Sequence, residues 1–260
     1  MRKKIYIMTD LEGISGIVSE SQVSDTKSDT YGFSLERLMR DVNAAIDGAF
    51  EGGASDVYVA DGHGGGKNFI AGMLDKRAVQ VCSAGDIDFT TIDGLMQIGA
   101  HAMAGTINGF LDHTQSSVSW HDYIVNGRKC GEIAQEGIFL GVYGAPCVMV
   151  SGDEAACVEA KQFFGDIECA VVKYGIGRSK ARSVDLDEAL LKIKSAAKNG
   201  MGLIGKIKPY KPLMPLEIII EYNRADYLEY NVNRPDVERL DARTLRKMVY
   251  EIKNFVDILI

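Results

Sequence analysis

The stretch IYIMTDLEG, residues 5–13, joins a strand-like segment to two acidic residues. Its first four residues are apolar or aromatic, which is typical of a buried strand in a parallel sheet. Asp10 and Glu12 follow, with one residue between them. Carboxylates beside a buried strand are costly to desolvate unless a cation or hydrogen-bond donors bind them. We therefore expect these two acids to mark either a ligand site or a solvated loop.

Strand-like and helical segments alternate along most of the chain. Apolar spacing predicts a helix over residues 35–51, and Ser34 can cap its start. Another helix is expected after Asp185, which can cap it in the same way. Strands are predicted at residues 4–9, 56–61, 78–82, 94–100, 145–152 and 168–175. This alternation predicts an α/β fold with a mostly parallel sheet and flanking helices.

A predicted β-hairpin interrupts this alternation. The strand-like residues 117–125 run into Asn126 and Gly127, and Asn-Gly is the strongest short hairpin signal. His121, beside Trp120 in this hairpin, is expected to be structural or to lie at a subunit contact.

The last part of the chain is expected to form a smaller unit. The proline-containing segment 208–217 is interpreted as a connector. We therefore predict a metal-binding α/β domain over residues 1–207 and a smaller C-terminal α+β portion over residues 208–260. In that portion we expect a strand at 217–222 and a closing amphipathic helix from about Asp241.

Composition and charge exclude several classes of protein. The net charge of −7 and the absence of a basic arm argue against nucleic-acid binding. No apolar run reaches the roughly 18 residues of a membrane span, and the N-terminal apolar run is too short for a signal peptide. The five cysteines are odd in number and lack CxxC spacing, which indicates free thiols in a reducing cytoplasm.

Acids and histidines follow several of the predicted strands. Asp10 and Glu12 follow the first strand, His63 the second and His101 the fourth, whereas Glu132 opens a helix after the hairpin. The carboxyl ends of parallel strands meet at one sheet edge, so these side chains should lie together. Carboxylates combined with imidazoles suit zinc, or manganese and cobalt.

Each of these residues also has a purely structural interpretation. Asp10 and Glu12 could be solvated loop carboxylates, and Glu132 could be a first-turn acid favoured by the helix dipole. His63 could bond to backbone in its loop, and His101 could be a core histidine with its hydrogen bonds satisfied. Their shared sheet edge favours a metal site, but the residues alone leave both interpretations open.

Two loops carry further polar signals. GHGGGKN, residues 62–68, lacks the spacing of a phosphate-binding P-loop, and its glycines are interpreted as a tight turn beside a ligand. GIGRSKAR, residues 175–182, is either a solvated turn or a basic loop in which Arg178 or Lys180 binds a substrate carboxylate.

The sequence as a whole resembles the DppA-type D-aminopeptidases, a family of dinuclear zinc metallopeptidases. The resemblance covers roughly residues 5–195 and is weaker beyond them. Matching segments occur in the same order along the chain, which makes the combination specific. They are TDLEGISG, VADGHGG, IGAHAMAG, GFLDHTQS, CGEIAQEG, VMVSGDEAA and AVVKYGIGRSKA.

The resemblance implies a set of site residues. Two zinc ions per chain are expected, with Asp10 bridging them. The catalytic histidine of the family falls on His113, whose role as nucleophile, general acid or oxyanion contact stays open. The implied metal ligands are Asp10, Glu12, His63, His101 and Glu132.

The resemblance also implies an activity and an assembly. We expect a cytoplasmic aminopeptidase that hydrolyses short peptides with an N-terminal D-amino acid, such as D-Ala-D-Ala, by water that two zinc ions activate. We also expect a homo-oligomeric ring, a decamer in that family, with no nucleic-acid or membrane partner. One alternative is a metal-dependent phosphoesterase, because the same ligand types serve phosphoryl transfer. The other is a non-catalytic peptide-binding assembly protein.

Overall fold

Two β-sheets, six α-helices and several short 3-10 turns make up the computed structural model, which describes residues 2–24 and 26–260. The strands are β1 (Lys4–Thr9), β2 (Asp56–Asp61), β3 (Val79–Val81), β4 (Gly94–Ala100), β5 (Trp120–Val125), β6 (Arg128–Lys129), β7 (Cys147–Asp153), β8 (Glu168–Gly177), β9 (Lys180–Ser183), β10 (Leu216–Tyr222), β11 (Val237–Arg239) and β12 (Thr244–Val249). The helices are α1 (Ser21–Ser24), α2 (Asp29–Glu51), α3 (Glu132–Val142), α4 (Glu154–Phe164), α5 (Leu186–Gly200) and α6 (Ala225–Leu228). No described helix is long and apolar enough to cross a membrane.

The larger sheet has the order β3-β2-β1-β4-β7-β8-β9. All neighbouring strands pair in parallel except β9, which pairs antiparallel with β8 at one edge. Strand β1 is central, with Ile5 and Ile7 buried against the α2 and α5 side of the sheet. Tyr6 belongs to the core on the opposite side, which includes residues of α3 and of the second sheet. The predicted α/β fold with a mostly parallel sheet is confirmed.

The starts of helices α5 and α2 are set by the residues that cap them. Helix α5 begins after Asp185, whose carboxylate accepts two backbone N–H groups, as predicted. Helix α2 instead begins at Asp29, because Ser28 caps it by accepting the N–H of Tyr31. The prediction that Ser34 caps this helix is wrong, since its hydroxyl donates to a carbonyl within the helix.

The second sheet is antiparallel and has the order β11-β12-β10-β5-β6. The predicted hairpin is confirmed as β5 and β6, with Asn126 (φ 50°) and Gly127 (φ 78°) in the left-handed region. This hairpin pairs through β5 with β10. The inserted hairpin and the C-terminal strands therefore share one sheet, and the domain boundary after residue 207 stays a prediction.

The closing helix expected from about Asp241 is wrong. Residues Thr244–Val249 form β12, and only a short 3-10 turn, Phe255–Ile258, follows. Leu245 and Val249 are buried while Met248 is partly exposed, so burial alternates as in a strand. Pairing with β10 and β11 on both sides overrides the helical spacing of the apolar residues.

Candidate metal centre

The five predicted ligands converge at the carboxyl edge of the larger sheet. Asp10 follows β1, His63 follows β2 and His101 follows β4, and these three strands are neighbours. Glu12 lies in the loop after β1, and Glu132 is the first residue of α3. All five residues therefore lie at one sheet edge, as the sequence predicts.

Asp10 lies between the two histidines. Its Oδ1 is 3.0 Å from Nδ1 of His63, and its Oδ2 is 3.2 Å from Nε2 of His101. Glu12 Oε2 lies 3.0 Å from the same His63 nitrogen, and Glu132 Oε1 lies 3.4 Å from the same His101 nitrogen. One oxygen of Asp10 thus faces His63, and the other faces His101.

His101 supplies a test of whether these donors fit a metal. Its Nδ1 donates to the carbonyl of Ala102 at 3.0 Å, which leaves the lone pair on Nε2. That Nε2 is buried and has no well-directed hydrogen bond among the described residues. Neighbouring ligands of a tetrahedral zinc lie about 3.3 Å apart when each is about 2.0–2.1 Å from the ion. The spacings of 3.0–3.4 Å here match that value, so the donors fit zinc.

The loop after β2 is fastened so that His63 faces the centre. Asp61 accepts the N–H of Asn68 at 2.6 Å, and the Asn68 amide donates to the His63 carbonyl at 2.6 Å. Tyr31 donates to Asn68 from α2. Residues 64–66 are glycines with φ between 54° and 93°, which other residues adopt only with strain. The glycine run is therefore a tight turn, as its sequence predicts.

The loop after β1 is held from beneath by Lys173. Its ammonium group is fully buried and donates to the carbonyls of Glu12 (2.6 Å) and Ile17 (2.7 Å). Burial lowers the pKa of Lys173 to about 7, despite nearby carboxylates that raise it. The loop also packs closely against β4, where a Cβ on Gly13 would overlap the backbone of Gly99. The lysine thus fixes the backbone that carries Glu12.

His113 lies over the centre, as its distance in sequence from His101 allows. Its ring stacks on that of His101, with 4.0 Å between centroids and 10° between planes. Its Nδ1 donates to the Leu111 carbonyl at 2.8 Å, so Nε2 faces Glu132 Oε1 at 3.7 Å. The ligand atoms of His101, His113 and Glu132 all lie within 4.8 Å of one another. His113 is therefore placed either to contact a substrate or to bind an ion.

The acids and imidazoles of the centre shift one another's pKa values. Burial lowers the pKa of His63, but Asp10 and Glu12 outweigh burial and raise that pKa to about 11. His101 likewise has a raised pKa, because Glu132 and Asp10 overcome its burial. Burial raises the pKa of Asp10, yet His101 and His63 hold it well below its usual value. The carboxylates of the centre therefore favour positive charge at both imidazoles.

A cavity of about 470 Å³ adjoins the centre and is lined by residues of the larger sheet and of α3. Asp10, His101 and Glu132 form part of its wall. The wall also carries aromatic side chains from three distant segments. These side chains are Phe89, Phe139 and Phe255. The volume is suited to a small molecule such as a short peptide.

The remaining predicted residues lie outside this cavity. Arg178 is half-exposed, and its guanidinium is 3.8 Å from Asp112 and 3.9 Å from Glu20. Its backbone carbonyl accepts the N–H of Leu111, so its turn supports the loop that carries His113. His121 is exposed on β5, 3.7 Å from Asp122, and the structure does not bring it to the centre.

Three residues near the centre were not identified from the sequence. Glu136 and Tyr6 line the cavity, and Lys173 lies beneath the ligand loop. Glu136 follows Glu132 by one helical turn, and this spacing was a usable signal. No comparable signal marked Tyr6 or Lys173, because their roles depend on contacts between distant segments.

Comparison with known proteins gives consistent results. A family model for D-aminopeptidases matches residues 3–259. A D-aminopeptidase of Bacillus subtilis is 28% identical over 245 residues, which cover 90% of this chain and 87% of that protein. A solved structure, the Zn-dependent D-aminopeptidase DppA from Bacillus subtilis, a self-compartmentalizing protease, has a similar fold. Its TM-score is 0.88 at 24% identity, and the match covers 98% of this chain and 93% of that one.

Proposed function

The chain belongs to the D-aminopeptidase family, and from this we propose that it is a zinc-dependent aminopeptidase acting on short peptides with an N-terminal D-residue, such as D-Ala-D-Ala. The resemblance found in the sequence is thereby confirmed for the family. The two relatives support D-residues as substrates and zinc as the metal. The observation that carries the proposal is Asp10, whose two oxygens face two different histidines.

The donor set supports a site for two ions. Asp10 would bridge them, with Glu12 and His63 on one side. His101 and Glu132 would complete the other side. Three carboxylates offset three of the four positive charges, which leaves the pair able to bind an anion. When bound, zinc would supply Lewis acidity toward the peptide carbonyl and lower the pKa of a coordinated water.

His113 has the position of a proton carrier for the reaction. Its Nδ1–H is committed to the Leu111 carbonyl, so Nε2 is the atom available to the substrate. In the protonated ring, Nε2–H can donate to the leaving amine or to the oxygen of the attacked carbonyl. Stacking against His101 fixes the plane of the ring. We assign His113 to the substrate because five other side chains already offer ligand atoms.

Substrate assays test this function directly. Zinc-loaded protein should hydrolyse D-Ala-D-Ala and leave p-nitrophenyl phosphate intact. Hydrolysis of the phosphoester alone would support the phosphoesterase alternative. Binding of D-dipeptides without turnover would support a non-catalytic peptide-binding protein. The role of Arg178 in binding a substrate carboxylate stays a prediction, which Arg178→Ala tests through KM for dipeptides of different C-terminal charge.

We also propose that the chain assembles into a homo-oligomeric ring, a decamer, in the cytoplasm. The supporting fact is the self-compartmentalizing relative.

A further inference from the structure

Two buried polar side chains line the cavity and are not among the proposed metal ligands. Glu136 is only 7% exposed and Tyr6 only 4%, and both line the cavity. Within the described parts of the chain, neither the Glu136 carboxyl nor the Tyr6 hydroxyl has a hydrogen bond or an ion pair. Among the residues that the structure describes, Lys253 is the one lysine or arginine in the cavity wall, and it is well exposed and paired with Glu251 at 2.9 Å.

A buried carboxyl without a partner is unfavourable in the empty protein. Burial raises the pKa of Glu136 to about 8, and the nearby Glu132 raises it further in the same direction. The Glu136 carboxyl has no protein partner among the described residues and lines the cavity, so a ligand there can supply the missing hydrogen bond. An acceptor of this kind pairs best with a cationic donor such as an ammonium group.

The position of Glu136 on α3 indicates which ammonium group it would meet. It follows Glu132 by four residues, so the two side chains lie on one helix face with about 5–6 Å between their Cβ atoms. In a peptide, a single carbon separates the scissile carbonyl from the α-amino nitrogen. A carbonyl placed at the ion that Glu132 holds therefore has its α-amino group only two bonds away, within reach of the next acid on this helix face.

We propose that Glu136 binds the α-ammonium group of the peptide substrate, with the Tyr6 hydroxyl as a second acceptor. This inference rests on the proposed function, because that function places the scissile carbonyl at the metal centre. Glu136 then sets the register of the peptide: only its first bond reaches the ions. The enzyme is limited to aminopeptidase activity by this contact.

A basic substrate side chain is the other possible source of an ammonium group. It carries its charge several bonds beyond the α-carbon, whereas the α-ammonium lies two bonds from the scissile carbonyl. The position of Glu136 one turn from Glu132 favours the nearer group, and substrates with a basic or a neutral first residue separate the two sources.

The kinetic test compares substrates with and without the α-amino group. Glu136→Gln keeps the side-chain shape and removes the charge. For D-alanine p-nitroanilide we expect kcat/KM to fall about 10- to 100-fold, mainly through KM, because a hydrogen bond to a charged group is lost. For propionic acid p-nitroanilide, which lacks the amine, the variant should match the wild type. Glu136→Asp should recover part of the loss.

Glu159→Gln is the matched control. Glu159 is also a buried acid, and burial raises its pKa to about 7, but it accepts the N–H of Met103 and does not line the cavity. This variant should leave both substrates unaffected. Tyr6→Phe, which removes only the hydroxyl, should lower kcat/KM a few-fold for the amino substrate alone. It keeps the test available if Glu136→Gln fails to fold.

A binding measurement separates this inference from the proposed function. D-Alaninol has the amine but no scissile bond, and its binding to zinc-loaded protein can be measured by calorimetry. We expect Glu136→Gln to weaken D-alaninol at least tenfold and to leave 1-propanol unchanged. Such a result in a protein that hydrolyses no D-peptide would overturn the function but keep the ammonium site.

Two results would overturn the inference itself. One is an equal loss of kcat/KM for the amino and deamino substrates in Glu136→Gln, with D-alaninol binding unchanged. The other is a loss for D-lysine p-nitroanilide without a loss for D-alanine p-nitroanilide. That result would assign Glu136 to a basic side chain instead of the α-ammonium.

Discussion

Replacing His113 by alanine separates chemistry from metal binding. The ring lies over His101, and its Nε2 is 3.7 Å from Glu132. If Nε2 serves the substrate, its removal deletes a general acid or oxyanion contact, which typically contributes a factor of about 10²–10⁴. This corresponds to about 3–5 kcal/mol of transition-state stabilisation. The five predicted ligands stay in place, so both ions should be retained.

The loss of fold stability in this variant should be small. His113 is partly exposed, and its removal forfeits one stacking contact, worth about 0.5–1.5 kcal/mol. It also frees the Leu111 carbonyl, which water can reach through the space that the ring leaves. A kcat loss of a hundredfold or more therefore cannot come from unfolding, and a thermal melt of the variant checks this point.

The assay pairs metal content with turnover. Zinc per chain is measured by plasma mass spectrometry, and kcat is measured on D-Ala-D-Ala. His121→Ala is the control, because that exposed histidine lies on β5 away from the centre and should keep its kcat. Loss of one zinc equivalent from His113→Ala would make His113 a ligand, consistent with its grouping with His101 and Glu132. Near wild-type turnover would equally refute the assignment.

Four further predictions concern the centre and the assembly. Asp10→Ala should lose at least one equivalent of metal by elemental analysis and nearly all turnover in the assay. Glu12→Ala should lose less metal, and two tightly held ions in the Asp10 variant would rule out bridging. Carboxylates raise the pKa of His63 to about 11 and that of His101 in the same direction, so zinc must displace protons from both rings. Zinc binding should therefore tighten about tenfold per pH unit for each displaced proton below about pH 11. Calorimetry in buffers of different ionisation enthalpy should show this proton release, and zinc binding independent of pH would contradict it. Lys173→Met should lower the free energy of unfolding by about 1–3 kcal/mol in denaturant titration, because two carbonyls lose their donor, and unchanged stability would show that water replaces the ammonium group. Light scattering should give a mass well above that of a dimer, and a monomer at micromolar concentration would count against the ring.

Local signals predicted the parts of the fold that local chemistry decides. The Asn126-Gly127 turn and the Asp185 cap each act within a few residues, and both occur where the sequence placed them. The closing helix was wrong because the apolar residues around Leu245 suit a helix as well as a strand. Partner strands on both sides, β10 and β11, decide between these structures, and no local pattern reveals them.

The same distinction applies to the candidate site. The convergence of Asp10, His63 and His101 follows from one rule, that parallel strands end at the same edge. The cavity could not be predicted in this way, since Phe89, Phe139 and Phe255 come from segments whose packing the sequence does not state.

The most direct test of a two-metal D-aminopeptidase is zinc titration of the chelated protein during hydrolysis of D-Ala-D-Ala. The donor set centred on Asp10 predicts no turnover without metal and a rise that reaches its plateau at two ions per chain. Full turnover in protein shown to contain no metal, or a plateau at a single ion, would contradict the account.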